Sequence, residues 1–81
     1  MEKERLKEIC SVLESYNRQY CLADKKRKDG VEKNVRSYVK TLPDELYLEL
    51  NEGAANGLCR HGFFESDLSE CIRILKNKLN E

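Results

Sequence analysis

Apolar side chains recur every three or four positions in four separate stretches of this chain, and that is the period of a helix rather than of a strand. Leu6, Ile9, Cys10, Leu13, Tyr16 and Tyr20 form the first stripe, and Val31, Val35, Tyr38, Val39 and Leu42 the second. Leu46, Leu50, Ala54 and Leu58 form the third; Leu68, Cys71, Ile72, Leu75 and Leu79 form the fourth. The spacing predicts helices over residues 3–21, 31–42, 43–56 and 67–79. Leu46, Leu48 and Leu50 also fit a strand's alternation, but no second alternating segment offers that strand a partner.

The punctuation between the stripes is sparse, with one proline and four glycines in all. Residues 24–30 carry no apolar side chain and end on Gly30, which can stop a helix, so this stretch reads as a solvated turn. Pro43 limits the second helix, because the residue before a proline is pushed out of the α region. Thr41 is then the expected cap of the third helix, with Pro43, Asp44 and Glu45 in its first turn. Asn56-Gly57 and His61-Gly62 read as stops or turns. Ser66 or Asp67 is the expected cap of the last helix, and Asp67 with Glu70 has the spacing of a capping box.

The expected fold is all-α, a small four-helix bundle or orthogonal helical array in one domain. A chain of 81 residues buries only about 60% of its unfolded surface or slightly more, so a partner that adds buried area is expected, a second copy of the chain among the candidates. No apolar run approaches the roughly 20 residues needed to span a bilayer. Residues 1–8 alternate acid and base where a secretory signal would be apolar. The expected location is cytoplasmic, with reduced thiols.

Cys10, Cys21, Cys59 and Cys71 include no Cys-x-x-Cys pair, so the spacing suggests neither a zinc ribbon nor a redox site. Cys59, His61 and Cys71 match no closed zinc site. Cys59 and His61 are two residues apart, which on a helix faces them away from each other and forms no nucleophilic dyad. Cys10 and Cys71 fall on apolar stripes and read as small buried hydrophobes. No catalytic constellation, cofactor motif or metal site emerges.

Charge is more informative. The net charge is zero, yet residues 21–40 hold seven basic and three acidic side chains, and residues 41–70 hold one basic and seven acidic. Lys25, Lys26, Arg27 and Lys28, followed by Lys33, Arg36 and Lys40, form a candidate nucleic-acid contact; the plain alternative is a solvated turn and helix face. Phe63 and Phe64 are candidate protein contacts, with one ring expected to tuck against Leu68. The acidic side chains Asp44, Glu45, Glu49 and Glu52 fit one helix's wet face; Glu65, Asp67 and Glu70 complete the acidic stretch.

Leu42-Pro43-Asp44-Glu45-Leu46, together with the run from Gly62 through Ser69-Glu70-Cys71-Ile72-Arg73, resembles the latter part of ribbon–helix–helix proteins over about half the chain. The resemblance implies a DNA-binding regulator or antitoxin. The chain departs from that pattern before Pro43, where the family has an alternating ribbon and Val35, Tyr38, Val39 and Leu42 keep a helical period. The reading that follows is a non-enzymatic helical adaptor or regulatory protein acting through protein contacts at Phe63 and Phe64. The alternative is a nucleic-acid-binding regulator using residues 25–40.

Overall fold

The computed structural model describes residues 2–50 and 64–80. Four helices run through them: α1 (Lys3–Leu22), α2 (Lys25–Lys40), α3 (Asp44–Leu50) and α4 (Phe64–Leu79). No strand occurs among the described residues. The fold is all-α, as the apolar period requires.

α1 is the central element, packed against α4 and against α2. Its stripe buries Leu6, Ile9, Cys10 and Leu13, while Tyr16 and Tyr20 continue the line and pack half-buried on the core. α2 contributes Val31, Val35 and Val39, and Leu42 follows from the connection to α3. α3 adds Leu46 and Leu50, and α4 adds Phe64, Leu68, Cys71, Ile72 and Leu75. These side chains form one contiguous cluster. Leu48, which a strand would place on the same face as Leu46 and Leu50, is instead exposed, as a helical period demands. Among the described residues, surface ion pairs join Glu14 to Lys76 between α1 and α4 and Glu49 to Lys78 between α3 and α4. Exposed pairs of this kind contribute at most about 1 kcal/mol each.

The helix boundaries differ from the expected ones at three places. Residues 25–30 are the first turns of α2 rather than a turn, and Gly30 lies inside the helix. Asp24 makes this possible, because its Oδ1 accepts a hydrogen bond from the Arg27 amide at 2.9 Å and satisfies one of the orphan donors of a helix start. Thr41 closes α2 instead of opening α3. Its amide donates to the Tyr38 carbonyl at 3.0 Å and its hydroxyl to the same carbonyl at 2.6 Å. α3 starts from Pro43, whose carbonyl accepts from the Tyr47 amide at 2.9 Å. α4 begins at Phe64, three residues before the expected 67. Asp67 is therefore inside the helix, and Glu70 pairs with Arg73 instead of reaching back to a cap.

α2 also settles the comparison with ribbon–helix–helix proteins. The stretch before Pro43, where that family has its strand, is helical to Lys40, so the likeness does not extend to the fold. The expected helix over 51–56, the turns at Asn56-Gly57 and His61-Gly62, and the positions Glu52, Ala54, Leu58, Cys59, His61 and Phe63 lie outside the described residues.

Candidate functional site

Two surfaces stand out, and both start from the end of the molecule where α1 hands over to α2. Tyr20, in the last turn of α1, lies past the deepest core residues. Its ring meets Phe64 at the start of α4, with centroids 4.9 Å apart and planes tilted by 47°. The Lys28 ammonium sits 5.0 Å from the centre of the same ring, a cation–π arrangement worth about 0.5–1 kcal/mol at an exposed site. Burial raises the pKa of the Tyr20 hydroxyl above its ordinary value, and the carboxylates of Glu32, Glu65 and Asp29 reinforce the shift, as does Cys21.

Beside this junction lies a groove of about 640 Å³ lined by Tyr20, Glu32, Phe64, Glu65, Ser66, Ser69, Glu70 and Arg73. Ligand clefts commonly have volumes of ~300–1,000 Å³. The rings of Tyr20 and Phe64 are its aromatic part, and carboxylates and hydroxyls make up most of the rest. Two of the three carboxylates are engaged locally. Glu70 accepts from the Arg73 Nε at 3.0 Å, and this guanidinium holds the Glu70 carboxyl below the usual range. Glu32 lies 3.8 Å from the Arg36 guanidinium. Glu65 receives a weak hydrogen bond from the exposed Cys21 thiol, at 3.8 Å.

The second surface is the outer face of α2. Seven residues bring a helix back to nearly the same direction, with a drift of about 20°. Lys26, Lys33 and Lys40 therefore share one line, and all three are exposed. At 1.5 Å per residue they stand about 10.5 Å apart. Lys25 and Arg27 are exposed in the first turn. Among the described residues, none of these five has an ion-pair partner. Elsewhere Arg5 pairs with Glu8, Arg73 with Glu70, Lys76 with Glu14 and Lys78 with Glu49.

The structure thus divides the expected basic segment. Lys25, Lys26, Arg27, Lys33 and Lys40 point to solvent, while Lys28 is drawn onto Tyr20 and Arg36 toward Glu32. Of the two aromatics expected as contacts, Phe64 is a core residue at 2% exposure, because it opens α4 on the face that carries Leu68. It serves the groove only as a supporting wall. Phe63 lies outside the described residues. Tyr20, Glu32 and Ser69 are not among the contact residues that the sequence predicts. The available signal is that the α1 stripe runs on through Tyr16 and Tyr20, which pack only half-buried at the edge of the core.

Cys10, Cys21 and Cys71 are free thiols, the first and last buried. Among the described residues, no group of His, Cys, Asp and Glu is placed to hold a metal ion, and no helix is long and apolar enough to cross a membrane. No protein-family model matches the chain, and no curated protein or solved structure matches it significantly.

Proposed function

We propose that this chain is a non-enzymatic helical adaptor or regulatory protein, and that the groove between the end of α1 and the start of α4 receives a cationic segment of a partner protein. The observation that supports this reading is the composition of that groove, where the rings of Tyr20 and Phe64 lie among Glu32, Glu65 and Glu70. An aromatic face attracts ammonium and guanidinium groups, and a carboxylate rim steers and orients them. Lys28 already rests on Tyr20, an intramolecular stand-in for the side chain a partner would bring. Ser66 and Ser69 offer hydroxyls that donate or accept toward a partner backbone. Free thiols at Cys10, Cys21 and Cys71 suit work in a reducing, cytoplasmic setting.

A labelled lysine- and arginine-rich peptide tests the groove by fluorescence anisotropy. Glu65→Lys replaces the rim carboxylate that has no cationic partner among the described residues, and it should weaken peptide binding by about tenfold, or ~1.4 kcal/mol. Glu45→Lys makes the same charge change on the exposed side of α3 and should leave affinity within about twofold, as expected for a rim-distant charge screened by salt. Equal loss in both variants, or no binding by the wild type, would remove the cationic-segment reading.

A further inference from the structure

We propose that the outer ridge of α2, formed by Lys26, Lys33 and Lys40 and extended by Lys25 and Arg27 at its N-terminal end, is a sequence-independent docking surface for the phosphate backbone of a nucleic-acid duplex. The ridge is independent of the groove and belongs to the opposite charge class.

The five cations have no ionic partner among the described residues, so their charge is available to an external polyanion. The two cations of the segment that do face inward, Lys28 and Arg36, are the ones with internal partners.

The N-terminal turn of a helix favours acidic side chains, because the macrodipole leaves positive partial charge there. α2 has no acidic residue in its first turn and has Lys25, Lys26, Arg27 and Lys28 instead. The capping Asp24 opposes them from the helix start, and the exposed Asp29 shares a face with Lys25, Lys26 and Lys33 at spacings of three and four, so four cations meet two carboxylates there. The arrangement works against helix stability and concentrates positive potential at one end of the ridge.

Composition selects the ligand. Single-stranded nucleic acid is gripped by exposed aromatic side chains that stack on bases, and the ridge carries none, since Tyr38 packs on the core. A membrane-surface helix needs an apolar face free to enter lipid, whereas the apolar face of α2 is spent on Val31, Val35 and Val39 in the core. What remains is a line of point charges spanning about 21 Å. Charges of that kind contact phosphates and carry no base readout.

The test is anisotropy of a labelled random-sequence DNA duplex against salt concentration. Five phosphate contacts give a slope of log affinity on log salt near −4.5, or roughly a 500-fold loss between about 50 and 200 mM. With Lys26→Ala, Lys33→Ala and Lys40→Ala combined, two contacts remain. The slope should fall to about −1.8, or roughly a tenfold loss over the same range. The corresponding triple glutamine variant should behave alike, which keeps the result independent of any helix effect of alanine. Lys7→Ala with Arg18→Ala, exposed cations of α1, should leave the slope unchanged. The proposal is overturned if the wild type fails to bind at low salt, or if the α1 pair lowers the slope as much as the ridge triple. It is also overturned if phosphatidylserine vesicles bind the protein through the ridge while the duplex does not.

Discussion

A thiol enclosed by hydrocarbon can ionise only by giving up its apolar surroundings, and Cys71 on α4 shows how far that constraint reaches. Burial raises its pKa to about 12, with Asp67 and Glu70 adding to the effect. Cys10 rises to about 11, through burial and through Glu14, which accepts its hydrogen bond at 3.3 Å. Both therefore stay protonated in the folded chain at pH values where the unfolded chain would ionise them, and the folded state loses ground as pH climbs. Thermal stability should be flat with respect to these thiols below about pH 8.5, the ordinary cysteine pKa, and should decline from there toward pH 11. The Cys10→Ala, Cys71→Ala variant should start lower, because of the atoms removed from the core, yet show a shallower alkaline decline. Parallel melting curves for the two proteins across that range would show that the thiols do not titrate with folding. Burial of both cysteines was legible in the sequence, because each takes a place in a stripe of leucine and isoleucine. The role of Tyr20 was not. It too belongs to a stripe, and period alone does not say where the core stops and a groove begins.

α2 is the element on which sequence and structure part. Its first turns carry no apolar residue, so the only reliable helix signal starts at Val31. Gly30 looks like a terminator when nothing before it needs to be buried. At the true start Asp24 accepts from the Arg27 amide through its side chain and from the Lys28 amide through its carbonyl, and a turn of charged side chains then overhangs the core with Lys28 lying back against it. Two substitutions report on this. Gly30 has no backbone angle that favours glycine, and a Cβ there would meet nothing within 4 Å. Gly30→Ala should accordingly stabilise the protein by about 0.5–1 kcal/mol, through helix propensity and a less free unfolded chain. Asp24→Ala should destabilise it by about 1 kcal/mol, since the cap is lost in a turn whose cations already oppose the dipole. Chemical denaturation measures both, and a destabilising Gly30→Ala would place a turn at residue 30. The same physics explains the early start of α4. Ser66, Asp67 and Glu70 imitate a capping box, but Phe64 sits four residues before Leu68 and extends the apolar stripe by one more turn.

At the scale of the whole molecule, one small core carries every described helix, and the two surfaces proposed to bind are built on its edges. Among the described residues the basic ridge of α2 faces solvent, while Glu32, Glu65 and Glu70 line the groove beside α4. Phe64 links edge to core. It is 2% exposed and packs on the ring of Tyr20, which in turn carries Lys28. Removing it should therefore affect folding before binding. Phe64→Ala should cost about 3–5 kcal/mol, close to the whole stability of many domains this small, and should leave the chain largely unfolded at room temperature by circular dichroism. Phe64→Leu keeps an apolar side chain in the site, so its cost should be about 1–1.5 kcal/mol, which lowers the melting temperature by roughly 4–12 °C in a domain of this size. Because the leucine variant still folds, it separates the two roles. Its duplex binding through Lys26, Lys33 and Lys40 should be unchanged, because that ridge makes no use of the Phe64 ring. Its affinity for a cationic peptide should fall, because Tyr20 loses the ring that fixes its tilt. Loss of both activities in a folded Phe64→Leu protein would mean that ridge and groove are one surface. Loss of neither would mean that Tyr20 needs no support from α4.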